Sequence, residues 1–188
     1  FIAGFESMGI EVEPLMPILD QLESNTNFAL ENINKILKSC RKVGIRPIHI
    51  RIQSLLSDAK DTGVLHSSAG MYYPPGCTAS EFCDEAMPLE NEIVLNKTCS
   101  GIVVGTPIDR ILRNLGIKNV VVTGFYTDQC VSTSIRDLAD LGYKVDMIED
   151  AMAAMSQERH DKALQSIKYI YANCEKTQEL IERLEQLN

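Results

Sequence analysis

Cys130 follows the segment VVVTGFYTDQ, an apolar run that turns at Gly124 and leads into residues of helical character. This pattern predicts a buried strand, a tight turn and a helix that carries Cys130 in its first turn. There the positive end of the helix dipole and free backbone N–H groups favour a thiolate and can hold an oxyanion. The position therefore indicates a nucleophile. A small buried side chain that only fills space is the alternative that position alone leaves open.

Lys97 is the second residue whose position suggests chemistry. It ends a predicted strand that contains the run Ile93-Val94-Leu95. In parallel sheets, ligands bind beyond the carboxyl ends of the strands. An ammonium group there could favour the ionised form of a nearby thiol or stabilise an oxyanion. A solvated lysine at the exit of a strand is the alternative.

Apolar strands alternate with amphipathic helices along the chain. Strands are predicted over 45–52, 92–97, 119–125, 143–148 and 169–174, and helices over 25–43, 107–115, 128–141, 156–167 and 177–187. The run Val120-Val121-Val122 predicts a strand that is buried on both faces. We therefore expect a single α/β domain over 1–188, a three-layer α/β/α sandwich with a mostly parallel, doubly wound sheet.

The segment 53–89 is long, lacks clear periodicity and is rich in Ser, Gly, Pro and Tyr, with Tyr72-Tyr73-Pro74-Pro75-Gly76 at its centre. A stretch of this kind usually has a function or covers a site. Tyr72 and Tyr73 either cover the site or pack between subunits. The sequence leaves open whether the segment covers the site of its own chain or that of a neighbour.

Composition excludes several classes of protein. The 188 residues carry 18 basic and 26 acidic side chains, a net charge of −8, with no basic cluster. This argues against binding to nucleic acid or to anionic membranes. No apolar run approaches the roughly 18 residues of a membrane span, and no signal-peptide pattern opens the sequence. Six cysteines without a CxxC pair indicate free thiols, and we expect a cytoplasmic protein.

The segment GFYTDQCVST at 124–133, followed by Gly142-Tyr143 and Glu149-Asp150-Ala151, resembles the signature of the isochorismatase-like cysteine hydrolases. Lys97 with Gly105-Thr106-Pro107 and Leu112, and the opening Phe1-Ile2, resemble the same family. The resemblance covers nearly the whole chain. It implies a six-stranded parallel sheet, an Asp-Lys-Cys triad and a homo-oligomer, either a dimer or a tetramer.

Carried over to this sequence, the resemblance makes Cys130 the nucleophile and Lys97 the triad lysine. It also implies a cis peptide bond between Phe125 and Tyr126, with the N–H groups of Tyr126 and Cys130 facing the oxyanion. The triad aspartate and the first strand are expected upstream of Phe1, because the sequence opens at what resembles the last residue of the family's Asp-Met-Gln-Asn-Asp-Phe stretch. Substrate contacts are expected from Phe1, Tyr72, Tyr126 and Ile102.

Three histidines, His49, His66 and His160, are the candidates for metal ligands. None follows an aspartate by two residues, as in the Asp-x-His pair of family nicotinamidases. His49 is interpreted as a satisfied histidine, His160 as solvated, and His66 as the one that could approach a ligand. We therefore expect no metal and no cofactor.

These interpretations predict hydrolysis of a C–N bond in a small amide, carbamoyl or ureide substrate through a thioester. The alternatives are a metal-assisted nicotinamidase and a non-catalytic family member that binds a metabolite or a protein partner.

Overall fold

The computed structural model describes residue 13 and residues 16–187. Helices and strands alternate along this part of the chain, in the order α1 (Met16–Lys42), β1 (Ile48–Ile52), α2 (Val64–Ser68), β2 (Ile93–Lys97), α3 (Ile102–Gly105), α4 (Ile108–Asn114), β3 (Asn119–Phe125), α5 (Ser132–Asp140), β4 (Lys144–Ala153), α6 (Gln157–Ile167), β5 (Asn173–Glu175) and α7 (Thr177–Glu185). Two short 3-10 turns, Thr78–Ser80 and Asp84–Ala86, lie between α2 and β2.

All strand pairs are parallel, as predicted. β1 pairs with β2 from Ile48 opposite Ile93 to Ile52 opposite Lys97. β4 lies between β3 and β5 in a second sheet. The described residues thus form five strands in two sheets, and no strand within 16–187 hydrogen-bonds one sheet to the other. Phe1 and the rest of 1–12 lie outside the described residues.

Strand β4 separates two hydrophobic cores and so defines three layers. On one face Met147 packs with Ile135 and Ile167, from α5 and α6. On the other face the adjacent Ile148 packs with Ile36 and Leu180, from α1 and α7. Because successive strand residues point to opposite faces, this division requires helices on both sides of the sheet. The predicted α/β/α layering is confirmed.

Three local predictions are wrong. The strand predicted over 169–174 begins only at Asn173, because Tyr169 has a positive φ of 66° that an extended strand does not adopt. The helix predicted over 128–141 begins only at Ser132, because Gln129 has non-helical angles, φ −125° and ψ −105°, that interrupt the preceding turn Thr127–Val131. Strand β3 is not buried on both faces, since Val121 is 41% exposed. Val120 and Val122 pack against the core while Val121 points away from it, which is the alternation of a strand covered on one face.

The longest helix, α1, has 27 residues, but charged and polar residues occur along its whole length. None of the helices in the described part of the chain is both long enough and apolar enough to cross a membrane.

Candidate active site

The structure places Lys97 and Cys130, the two residues with a predicted chemical role, in direct contact. Lys97 is the last residue of β2 and is only 5% exposed. Its Nζ donates to the backbone oxygen of Cys99 at 2.8 Å and lies 3.3 Å from Sγ of Cys130. A buried ammonium group needs such partners, because its transfer out of water is costly. The contact allows the lysine to stabilise negative charge on the sulfur.

Cys130 is half-buried and belongs to the irregular turn that joins β3 to α5. The carbonyl of Tyr126 accepts hydrogen bonds from the N–H groups of Gln129 and Val131, at 3.0 and 3.2 Å. The hydroxyl of Ser134 donates to the carbonyl of Cys130 at 2.6 Å. These bonds fix the backbone on both sides of the sulfur. The sequence placed Cys130 inside a regular helix, and the structure places it in the turn before one.

Gly105 packs tightly against the lysine. A Cβ atom at Gly105 would lie 2.6 Å from Sγ of Cys99 and 3.1 Å from Cβ of Lys97. A distance of 2.6 Å does not occur between unstrained atoms, so a side chain at residue 105 would displace Cys99, and it would also press on Lys97. The thiol of Cys99 donates to the carbonyl of Gly101 at 3.3 Å, so Cys99 belongs to the packing around Lys97.

The peptide bond between Phe125 and Tyr126 is cis. Burial raises the pKa of the Tyr126 hydroxyl, and the neighbouring Tyr73 raises it further. Tyr72, predicted to contact substrate, is 53% exposed.

The segment 53–89 folds over the site of its own chain. The N–H of Gln53 donates to the carbonyl of Lys97 at 3.1 Å, and the N–H of Gly63, just before α2, donates to the carbonyl of Thr98 at 3.3 Å. Within α2, His66 is 4% exposed. Burial is the main cause that lowers the pKa of His66, and the positive charge of Lys97 lowers it further.

A family model described as "Isochorismatase domain" matches residues 20–179, most of the chain. The chain belongs to the isochorismatase family.

Curated relatives of this isochorismatase-family protein include the uncharacterized isochorismatase family protein YrdC of Bacillus subtilis. It is 32% identical over 132 residues, which cover 70% of this chain and 64% of YrdC. The ureidoacrylate amidohydrolase RutB of Klebsiella pneumoniae is 41% identical over 71 residues, 38% of this chain and 30% of RutB. The chain thus spans less than two thirds of the length of each of these relatives.

Solved structures with the same fold include a cysteine hydrolase from Pseudomonas syringae pv. phaseolicola 1448A. Its TM-score is 0.81 at 24% identity, with 87% of this chain and 83% of that chain covered. N-carbamoylsarcosine amidase from Thermoplasma acidophilum has a TM-score of 0.68 at 25% identity, with 82% and 85% covered. The fold of this isochorismatase-family protein is therefore the isochorismatase-like fold that the sequence predicted.

Ile102 begins α3 in this isochorismatase-family protein and packs against the hydrophobic core. Its N–H donates to the hydroxyl of Ser134 at 3.3 Å, which links α3 to the Cys130 turn. Phe1, the remaining predicted substrate contact, lies outside the described residues.

Helix α6 contacts the turn Thr127–Val131 through two side-chain pairs. Nδ1 of His160 lies 2.8 Å from Oγ1 of Thr127, and Arg159 pairs with Asp128. Burial lowers the pKa of His160, although the carboxylates of Asp161, Glu149 and Asp128 oppose that effect. His160 was predicted to be solvated, and it is instead partly buried, with its Nδ1 against the hydroxyl of the fully buried Thr127. Sequence spacing offered no signal for this long-range pair.

The prediction for His49 is confirmed. His49 is 7% exposed, and its Nε2 lies 2.7 Å from Oε2 of Glu92, which confirms a satisfied histidine. No group of three or more His, Cys, Asp or Glu side chains that could hold a metal ion occurs among the described residues.

A half-open cavity of about 360 Å³ lies between α1, β4 and α6, where Phe28, Met152 and His160 line it. Neither Lys97 nor Cys130 lines this cavity.

Proposed function

We propose that this protein is a cysteine-dependent hydrolase that cleaves a C–N bond of a small amide, carbamoyl or ureide substrate through a thioester. The observation that carries the proposal is the 3.3 Å contact between Nζ of Lys97 and Sγ of Cys130. A buried ammonium group beside a thiol, at the carboxyl ends of parallel strands, is the arrangement that activates a sulfur nucleophile.

In the proposed reaction, a base takes the proton of the Cys130 thiol. The family resemblance assigns that base to an aspartate upstream of Phe1. The thiolate attacks the carbonyl carbon and forms a tetrahedral intermediate, whose oxyanion accepts from the N–H groups of Tyr126 and Cys130. Lys97 stabilises the negative charge before and during the attack.

The intermediate collapses when the base returns the proton to the nitrogen and the C–N bond breaks. Ammonia or an amine leaves, and the acyl group stays on sulfur as a thioester. Water then attacks the thioester carbon, the C–S bond breaks, and the proton of water restores the thiol. The products are an acid and the free enzyme.

Two relatives support the substrate class by their names. RutB is a ureidoacrylate amidohydrolase, and the Thermoplasma acidophilum structure is an N-carbamoylsarcosine amidase. Both names describe cleavage of a nitrogen-linked carbonyl group. We extend this class, and not either substrate, to the present chain. We also propose a homo-oligomer, a dimer or a tetramer, with no nucleic-acid or membrane partner.

The test is an ammonia-release assay over small primary amides, N-carbamoyl compounds and ureides, with nicotinamide included, in the presence and absence of a chelator. We expect at least one substrate to turn over with the chelator present. The Cys130→Ala variant should hydrolyse that substrate at least 1,000-fold more slowly than the wild type. Cys83→Ser is the matched control, because Cys83 is an exposed free thiol.

Rapid acid quenching followed by intact-mass analysis should show the acyl group on the wild-type chain and none on Cys130→Ala. Full turnover by Cys130→Ala would refute covalent catalysis. Loss of activity with the chelator, on nicotinamide alone, would favour the metal-assisted nicotinamidase. A reactive thiol without turnover of any compound would favour a family member that only binds.

A further inference from the structure

The turn Thr127–Val131 is bound at its first two residues by side chains of helix α6. Oγ1 of Thr127 lies 2.8 Å from Nδ1 of His160, and the carboxylate of Asp128 pairs with Arg159. The two partners on α6 are neighbours in sequence, and so are the two residues that they bind. The attachment lies just before the cysteine of the turn.

The backbone of this turn is not a regular helix. The non-helical angles of Gln129 interrupt it, and the carbonyl of Tyr126 accepts from the N–H groups of both Gln129 and Val131. A short segment without a regular hydrogen-bond ladder depends on its tertiary contacts for a fixed position. The side-chain contacts at the start of the turn therefore help to set where Cys130 lies.

Helix α6 is a firmly held partner for the turn. Oγ of Ser156 caps the helix and accepts from the N–H of Arg159 at 3.3 Å, which fixes where the helix begins. Further along, Ala163 and Ile167 are buried, and Ile167 belongs to the hydrophobic core. Side chains on a helix that is capped and packed in this way can hold a partner in a defined position.

Both pairs are buried enough for their loss to move the turn. Thr127 is 0% exposed, and only 12% of the Asp128 side chain is exposed. Oδ1 of Asp128 is buried without a hydrogen-bond partner among the described residues, whereas Oδ2 accepts from Arg159. A nearly buried carboxylate that loses its cationic partner must move toward water, because a buried unpaired charge is costly.

We propose that Arg159 and His160 are positioning residues, which hold the turn so that Sγ of Cys130 reaches both the triad lysine and the substrate carbonyl. What they preserve is the 3.3 Å contact of that sulfur with Nζ of Lys97. This inference rests on the proposed function, because it concerns the same nucleophile. It gives α6 a part in catalysis, although the helix supplies none of the reacting groups.

Alkylation by iodoacetamide tests the position of the sulfur without turnover. The Cys130 thiolate displaces iodide and forms an S–CH₂ bond, so the rate falls when the sulfur leaves the ammonium group that favours its ionised form. The quantity measured is the ratio of the alkylation rates of Cys130 and of exposed Cys83 in the same sample, by peptide mass spectrometry. Urea unfolding of each variant measures its stability separately.

Thr127→Val keeps the shape of the side chain and removes the hydroxyl, and we expect it to lower the ratio about tenfold. Thr127→Ser keeps the hydroxyl and should stay within about threefold of the wild type. His160→Phe should cause a fall similar to that of Thr127→Val. The double variant should fall no further, because both changes remove the same bond.

Arg159→Met tests the second pair at a side chain that is 53% exposed, where the change should leave the fold intact. We expect the ratio to fall about tenfold, and Arg159→Lys, which keeps the charge, to recover most of it. Glu158→Gln is the matched control, because it breaks an exposed ion pair with Lys162 on the same helix and should leave the ratio unchanged. On any substrate found in the ammonia-release assay, Arg159→Met should lower kcat and leave KM nearly unchanged.

A wild-type ratio in both Thr127→Val and Arg159→Met overturns the inference. So does a fall that accompanies lost stability and that Thr127→Ser and Arg159→Lys do not restore, which would indicate a purely structural role. Failure of the proposed function gives a different result. In that case Cys130 of the wild type itself reacts no faster than Cys83, and the inference falls with the proposed function.

Discussion

Gly105 lets α3 approach Lys97 closely. Its missing side chain leaves room for Sγ of Cys99 and for Cβ of Lys97, which a methyl group would meet at 2.6 and 3.1 Å. Sγ of Cys99 is held by its hydrogen bond to the carbonyl of Gly101, and Cβ of Lys97 is fixed to the backbone, so an added methyl group displaces at least one of the two residues. A shift of Lys97 by a few tenths of an ångström changes its 3.3 Å contact with Cys130.

We therefore expect Gly105→Ala to lower kcat/KM at least tenfold on any substrate found in the ammonia-release assay, because misplaced catalytic groups lose rate steeply. The double variant Gly105→Ala with Cys99→Ala removes the closer of the two clashing atoms and should recover part of the loss. Cys99→Ala alone is the control. Equal rates for wild type and Gly105→Ala would show that the lysine tolerates the displacement.

At the scale of single residues, the sequence allowed the contact between Lys97 and Cys130 to be predicted, because each residue follows a strongly apolar run. Strand ends in a parallel sheet meet at one edge, so position along the chain already implied proximity. The position of His160 was not predicted in the same way. Its hydrogen bond with Thr127 joins distant parts of the chain, and no local pattern encodes such a pair.

Glu92 ties three elements together just before β2. Its carboxylate accepts from Nε and Nη2 of Arg41 on α1 at 2.7 and 2.8 Å, lies 2.7 Å from Nε2 of His49 on β1, and accepts from the N–H of Leu89 at 2.9 Å. The hydrogen bond from Arg41 is the main cause that lowers the pKa of Glu92, to about 2.

This cluster predicts a pH-dependent stability. Because the folded-state pKa of Glu92 lies below its ordinary value of 4.5, the carboxylate stabilises the fold above about pH 4.5. That contribution disappears as the pH falls toward 2. We expect Glu92→Gln to lower the free energy of unfolding at pH 7 by about 2 kcal/mol, with a smaller difference at pH 3.

Urea unfolding at pH 7 and pH 3 measures this difference. Glu90→Gln is the matched control, since Glu90 is exposed two residues away and changes the same charge. A constant difference between wild type and Glu92→Gln at both pH values would mean that packing, and not ionisation, accounts for the loss.

The element boundaries show where sequence periodicity is informative. β3 was predicted over its observed range, 119–125, because β-branched residues and flanking polar residues mark both ends. The start of α5 was placed four residues too early, since the residues Thr127–Val131 have helical composition but form an irregular turn. That turn is held by contacts with α6, which lies about 30 residues further along the chain.

At the scale of the whole molecule, the long segment 53–89 belongs to the site of its own chain. The N–H of Ser54 donates to the carbonyl of Tyr73 at 2.8 Å, and this bond closes the segment back onto the end of β1. Its other hydrogen bonds, from Gln53 to the carbonyl of Lys97 and from Gly63 to the carbonyl of Thr98, lie beside the candidate site. The sequence could not decide this point, because chain order does not say which copy a loop covers.

A subunit whose loop, lysine and cysteine all come from one polypeptide should work independently of its neighbours. If the protein is an oligomer, hybrids assembled from Cys130→Ala and Lys97→Met chains should stay inactive, because neither chain can lend its intact residue to the other. Hybrids of wild-type and Cys130→Ala chains should keep activity in proportion to the wild-type fraction. Recovery of activity in the first mixture would mean that sites are shared across the interface.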